Sequence, residues 1–186
     1  MDFVMAGSLL SNLDPSTEEL ELAGFIDDSI TDGPGLRFSV FAQGCPHRCP
    51  GCQNPQTWPR GCGRLFTVAQ VLDRIVANRL VKGVTFSGGD PFFQPKPFAL
   101  LARSLRDFGY EVACYTGWTF EQLLASDDPY VLALLCMLDV LVDGPFLQSL
   151  KSYDLKFRGS SNQRALDVPE SLRRGEAVPM PVGRWN

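Results

Sequence analysis

Apolar residues between Thr67 and Asn78 fall at Val68, Val71, Leu72, Ile75 and Val76, which is the spacing of one helical face, and Thr67 stands where a helix N-cap belongs. The same spacing returns at Phe98, Leu101, Ala102, Leu105 and Phe108, with Gly109 placed just past the end of that second helix. Two further helices are predicted over "TFEQLLA" and "DPYVLALLCM". Between these segments the pattern shortens. Leu36 to Ala42, "KGVTFSGG", "YEVACYTG" and "LDVLVDG" are brief apolar runs bounded by glycine or Asp-Gly, as buried strands are.

Strands that alternate with helices predict a mainly parallel sheet joined by crossovers, either open or curved into a partial barrel. In both forms ligands bind at the carboxyl ends of the strands. Those ends carry the three-cysteine loop, "SGGDP", "YTGW" and "VDGPF", so four chemically unusual segments are expected on one rim. Residues 1–22 have little pattern and are expected to form an extension, helical at "STEELEL". Residues 23–186 form one domain, with a tail that is irregular from about residue 150.

Composition narrows the function classes. The chain has 186 residues, 45% hydrophobic and 20% charged, which suits one globular domain. A net charge of -4 argues against a nucleic-acid footprint or a basic membrane patch, leaving small molecules and proteins as partners. The start lacks the basic region of a signal peptide, and the longest apolar run is broken by Asp139. A cytoplasmic location follows, where clustered thiols bind metal or do chemistry more often than they form disulfides.

Three of the six cysteines and the single histidine lie within "GCPHRCPGC", spaced Cys45-x3-Cys49-x2-Cys52. Thiolates suit zinc or an iron-sulfur cluster. A structural zinc site wants four ligands, so the zinc reading needs Cys62 or His47 as a fourth and makes the chain a binding module. A [4Fe-4S] cluster on three cysteines leaves one iron open instead.

The three cysteines match the radical S-adenosylmethionine signature, and "DGPGLRFSVFAQGCPHRCPGCQNPQTW" resembles the opening of the glycyl-radical-enzyme activases. Within that family, "CPGCQNPQTW", "FSGGDPF", "YTGW" and "DVLVDGPF" are most similar to the branch that serves anaerobic ribonucleotide reductase, in order over about residues 24 to 165. The resemblance implies a single-domain α/β fold, an incomplete parallel (βα) barrel of radical SAM type. It implies a [4Fe-4S] cluster on Cys45, Cys49 and Cys52, with S-adenosyl-L-methionine bound at the open iron. An electron from a flavodoxin or ferredoxin would release a 5'-deoxyadenosyl radical, which takes hydrogen from a glycine of the reductase large subunit. No side chain is assigned catalysis beyond cluster and cofactor.

By the same resemblance, Gly88, Gly89 and Asp90 are expected to contact the amino group of the cofactor; Tyr115, as part of an adenosine pocket, and Asp143, a buried strand-end carboxylate in need of a partner, are the other expected cofactor-binding residues. Thr116 and Trp118 are candidates for the adenosine pocket, and Arg158, Asn162, Gln163 and Arg164 for cofactor or reductase contacts. The turn at Asp32, Gly33, Pro34, Gly35 and Arg37 is expected near the cluster, although from composition alone Arg37 reads as solvated. His47, with no carboxylate visible nearby in sequence, reads as a surface residue. Cys114 and Cys136 read as core thiols, and Cys62 as exposed. An activase for another partner such as pyruvate formate-lyase, and a radical enzyme acting on a small molecule, remain as alternatives.

Overall fold

The computed structural model describes residues 3–185; readings that fall on Met1, Asp2 and Asn186 lie outside the described residues. In chain order the elements are α1 (Phe3–Leu10), β1 (Glu19–Ser29), β2 (Arg37–Ala42), β3 (Arg64–Thr67), α2 (Val68–Ala77), β4 (Gly83–Gly88) and α3 (Pro95–Asp107). They continue with β5 (Glu111–Tyr115), α4 (Phe120–Leu124), α5 (Pro129–Cys136), β6 (Val140–Asp143), β7 (Arg164–Asp167) and α6 (Val168–Arg174). The predicted helices and apolar strands are present. Thr67 caps α2 as expected, in a reciprocal capping box with Gln70, and Thr119 caps α4 in the same way with Gln122.

One sheet of order β3-β1-β2-β4-β5-β6-β7 runs through the molecule. The pairs β2–β4, β4–β5 and β5–β6 are parallel, while β1, β3 and β7 flank them antiparallel. The sheet is thus unclosed and α/β, with a parallel centre as expected and antiparallel margins that the pattern did not indicate.

Two local expectations are corrected. "STEELEL" is not a helix: from Glu19 it enters β1, where Leu20 pairs with Phe66 and Leu22 with Ala42, so backbone pairing on both sides overrides the helical propensity of Glu and Leu. Residue 22 therefore lies inside a strand. The stretch after residue 150 is also more regular than expected, because β7 pairs with β6 and Asp167 caps α6.

Side-chain alternation divides the sheet into two unlike faces. Phe38, Val40, Val84, Phe86, Val112, Cys114, Leu141 and Leu166 share one buried cluster with residues of all six helices. Phe86 meets Phe98 of α3 edge to face, with ring centroids 5.0 Å apart. The other face carries Ser39, Thr85, Ala113, Val140 and Val142, which are smaller and partly polar. At its lower part Ala113, Val140, Val142 and Ala165 pack with Trp185, which the chain brings back from its C-terminal end. Higher up this face stays open. No helix among the described residues is long and apolar enough to cross a membrane.

Arg37 is not solvated; that expectation is corrected. It is 1% exposed at the start of β2, away from the rim, and its guanidinium donates to Thr85 Oγ1 (2.7 Å), Glu111 Oε1 (2.7 Å) and the Val84 carbonyl (2.9 Å). Its guanidinium carbon lies 5.2 Å from the centre of the Trp185 ring. Burial lowers its pKa while Glu111 pulls it back up.

Arg37→Met should lower unfolding stability by about 3 kcal/mol, at the low end for a broken buried pair, because Arg184 still faces Glu111 at 3.1 Å. Urea unfolding measures this directly. A second prediction concerns acid. Arg164 bridges Glu121 and Asp143, and its hydrogen bonds bring the Glu121 pKa down from 4.5 to about 2. A carboxylate whose folded pKa is depressed stabilises fully above its unfolded value, and loses that contribution as pH falls from 4.5 towards 2. Glu121 is more than half exposed, so the term is at most about 1 kcal/mol. Glu121→Gln should be less stable than the parent at about pH 6, with the difference vanishing near pH 2 in denaturant titrations.

Candidate functional site

At Ala42, the end of β2, the chain enters the cysteine loop. Its base is stitched shut: Gly44 N–H donates to the Thr57 carbonyl (2.7 Å), Cys45 N–H to Trp58 (3.0 Å), and the Gln43 amide to Gln56 (3.2 Å) and Pro59 (2.6 Å). Gln43 is itself held. Its carbonyl accepts from the buried Gln94 amide (2.8 Å), which also donates to Glu21 O (2.9 Å). These two glutamines were not singled out from sequence. Their work is to satisfy buried backbone groups, a role that leaves no motif.

Cys45, Cys49 and Cys52 are all free and half-buried. Cys52 N–H donates to the Cys49 carbonyl at 3.1 Å, forming a turn between the last two thiols, and Cys52 Sγ accepts the Asn54 N–H at 3.3 Å. Burial pushes the Cys45 thiol pKa up, opposed by the backbone N–H groups of His47 and Arg48. Among the described residues no three His, Cys, Asp or Glu side chains already stand together in metal-holding geometry. The donor set still fits an iron-sulfur cluster. It offers three unpaired soft sulfurs on one turned loop, one of them already receiving an N–H of the kind that supports a sulfur ligand.

The end of β4 docks directly under this loop. Gly89 N–H donates to the Ala42 carbonyl (2.8 Å) and Asp90 N–H to the Gly44 carbonyl (2.9 Å). The approach is so close that a Cβ on Gly89 would stand 2.3 Å from the Gly44 oxygen. Gly88, at φ +90°, makes the turn that allows it. Asp90 is fully buried; it caps the next short turn through Phe92 N–H (2.9 Å) and also accepts from Thr116 Oγ1 (2.9 Å), Gly117 N–H (3.0 Å) and His47 Nε2 (2.8 Å). His47 therefore has a carboxylate partner, which corrects its reading as an unpartnered surface residue.

Beside the loop, the uncovered face of the sheet opens into a cleft of about 630 Å³. Phe41, Ser87 and Tyr115, at the ends of β2, β4 and β5, line it together with Cys52, Lys151 and Arg158. Tyr115 donates its hydroxyl to the Phe157 carbonyl (2.8 Å), and burial raises its pKa. Asp32 and Gln163 also line the cleft.

The other expected residues are placed differently. Asp143 is 1% exposed at the end of β6, accepting from Phe120 N–H (2.7 Å) and from both Nε and Nη2 of Arg164, so it ties β6, β7 and α4 together. Thr116 points at Asp90 and Trp118 packs edge-on against His47, with centroids 4.8 Å apart; neither is among the cleft-lining residues. Asn162 donates to the Pro145 carbonyl at 2.8 Å. Cys114 and Cys136 are buried and Cys62 is exposed, as expected.

The junction under the loop yields a test. Gly89→Ala must push backbone against backbone and should cost roughly 1–3 kcal/mol, as overpacking does. Gly24→Ala meets nothing within 4 Å and should change stability by less than about 0.5 kcal/mol. Chemical denaturation of the two variants checks the contrast.

Comparison with known proteins gives the family. The family model for a 4Fe-4S single cluster domain matches residues 31–166. The anaerobic ribonucleoside-triphosphate reductase-activating protein of Escherichia coli (strain K12) is 37% identical over 142 residues, covering 72% of this chain and 90% of that protein. The proteins of the same name from Salmonella typhi and Enterobacteria phage T4 are 38% and 33% identical, covering 72% and 73% of this chain and 90% and 86% of theirs. A crystal structure of QueE from Escherichia coli aligns at a TM-score of 0.46 and 15% identity over 54% of this chain and 53% of that one, too weak a likeness to add to the assignment. With a 4Fe-4S single cluster domain matched over residues 31–166 and relatives 33–38% identical that it covers over most of their length, the chain belongs to the family of anaerobic ribonucleoside-triphosphate reductase-activating proteins.

Proposed function

We propose that this protein is a radical S-adenosylmethionine enzyme that installs a glycyl radical on the large subunit of an anaerobic ribonucleotide reductase. The observation that carries the reading is the meeting of a three-thiol loop with an open cleft at the carboxyl ends of parallel strands, in a chain that belongs to the reductase-activating family. A bound cluster would supply one electron to S-adenosylmethionine, and the cofactor would supply the hydrogen-atom acceptor for the partner's glycine, leaving as methionine and 5'-deoxyadenosine.

The residues divide this work. Cys45, Cys49 and Cys52, half-buried on one loop, would hold the cluster. The cleft takes the cofactor beside Cys52, with Tyr115 on its wall and the glycine backbone at Gly88 and Gly89 next to it. Lys151 and Arg158 give the cleft positive charge, suited to the carboxylate of an aminoacyl group. Asp90 and Asp143 have their oxygens engaged by protein donors, so they bear on the cofactor by fixing the rim. The open side of the cleft admits a protein loop that carries the glycine. The electron comes from an external donor of the flavodoxin or ferredoxin class, in the reducing cytoplasm, a setting in which clustered thiols stay reduced.

Anaerobically purified protein should contain iron and sulfide. After dithionite reduction it should give an electron paramagnetic resonance signal that changes on adding S-adenosylmethionine. Serine at Cys45, Cys49 or Cys52 should abolish that signal, and serine at Cys62 should preserve it. Tetrahedral zinc in place of a reconstitutable cluster would defeat the reading, as would loss of the signal in Cys62→Ser.

A further inference from the structure

Asp90 and His47 make a contact that the proposed chemistry does not use. The two lie 43 residues apart, on different loops, yet His47 Nε2 reaches Asp90 Oδ2 at 2.8 Å. The surroundings are built for this pair. Oδ1 of Asp90 takes Phe92 N–H at 2.9 Å, while Oδ2, the oxygen that meets His47, also accepts from Thr116 Oγ1 and Gly117 N–H at 2.9 and 3.0 Å. A buried carboxylate with that many donors is held in one orientation.

His47 is confined as closely. Trp118 packs against its ring edge-on, and a Cβ on Gly117 would come within 2.4 Å of it, so "YTGW" forms a socket that only glycine leaves open. The His47 side chain is 15% exposed and that of Asp90 1%. His47 stands two residues after Cys45 and two before Cys49. Whatever fixes its ring fixes the backbone between two of the three thiols.

We propose that Asp90 and His47 form a latch that holds the cysteine loop against the ends of β4 and β5. Both are positioning residues: Asp90 governs the cluster through His47 and the loop, not by touching the cofactor. This rests on the reading that Cys45, Cys49 and Cys52 hold the cluster. It differs from the role that the family resemblance suggested for Asp90, a direct contact to the cofactor's amino group.

The test uses the full-length protein, reconstituted anaerobically, as wild type, His47→Ala, His47→Gln, Asp90→Asn and the His47→Ala/Asp90→Asn double variant. Iron retained after challenge with a chelator, the resonance spectrum of the reduced cluster and the S-adenosylmethionine concentration needed to change it are measured for each. A latch predicts that His47→Ala loosens cluster retention by roughly tenfold or more, as loss of an outer partner to a metal ligand does. It also predicts an altered spectrum in that variant. The double variant should be no worse than the more severe single one, since both remove one interaction. His47→Gln keeps a side-chain N–H for Asp90 and should recover much of the retention.

If His47→Ala matches wild type in retention and spectrum while Asp90→Asn loses only its response to S-adenosylmethionine, Asp90 contacts the cofactor and the latch is overturned. Additive losses in the double variant overturn it too. His47 lies at the rim, so the Ala and Gln variants decide the matter even if Asp90→Asn fails to fold. A wild-type protein with no cluster, or with no response to S-adenosylmethionine, would instead remove the functional reading on which the latch rests.

Discussion

Gly89 and Asp90 donate backbone hydrogen bonds to the carbonyls of Ala42 and Gly44, and this junction forms only because no Cβ stands between the two chains. Each partner is the last rigid point of a parallel strand, so the junction transfers the regularity of β2 and β4 to loops that have none of their own. The cysteine loop gains a floor from it. Asp90 is carried below the rim, where its side chain collects donors from the turn after it and from the end of β5. The stitched base from Gln43 to Pro59 is the second constraint, since it fixes where the loop returns. Three thiols on a free loop of this length would have to be ordered by the metal alone, at the expense of conformational entropy. Here much of that ordering precedes binding.

The cleft follows from strand alternation and from the helices lying on one side. Once Phe38, Val40, Val84, Phe86 and Val112 face the helices, their neighbours Ser39, Thr85, Ser87 and Ala113 must face the other way. Those side chains are small, and where Trp185 does not fill the space a ligand-sized volume remains beside Cys52. A bulky apolar set on both faces would have closed it.

Much of this was legible in the sequence because it rests on local rules. The capping box at Thr67 and Gln70, the apolar stripe of α2, and the glycine and Asp-Gly ends of the strands are readable within about a dozen residues. So was the gathering of four unusual segments on one rim, since parallel strands put their carboxyl ends on the same side. What escaped depends on partners distant in sequence. β1 reads as helix from its Glu and Leu content, and only pairing with β2 and β3 makes it a strand. Arg37 reads as solvated until Glu111, 74 residues away, is brought beside it. His47 had no visible partner for the same reason, and β7, with four residues, is too short to carry a periodicity.

The two ends of the parallel strands have therefore been put to different uses. Each holds a buried charge in a full set of partners: Arg37 with Glu111, Thr85 and the Val84 carbonyl at the start of the strands, Asp90 with Thr116, Gly117 and His47 past their ends. Arg37 is roofed by Trp185 and joins strand to strand, so what it stabilises is the sheet. Asp90 joins loop to loop, and its ligands come from segments that no backbone ladder holds. Loss of a partner at the first end would be felt as stability spread over the whole fold. At the second it would be felt first as displacement of the thiols, because the rim has less regular structure to resist it.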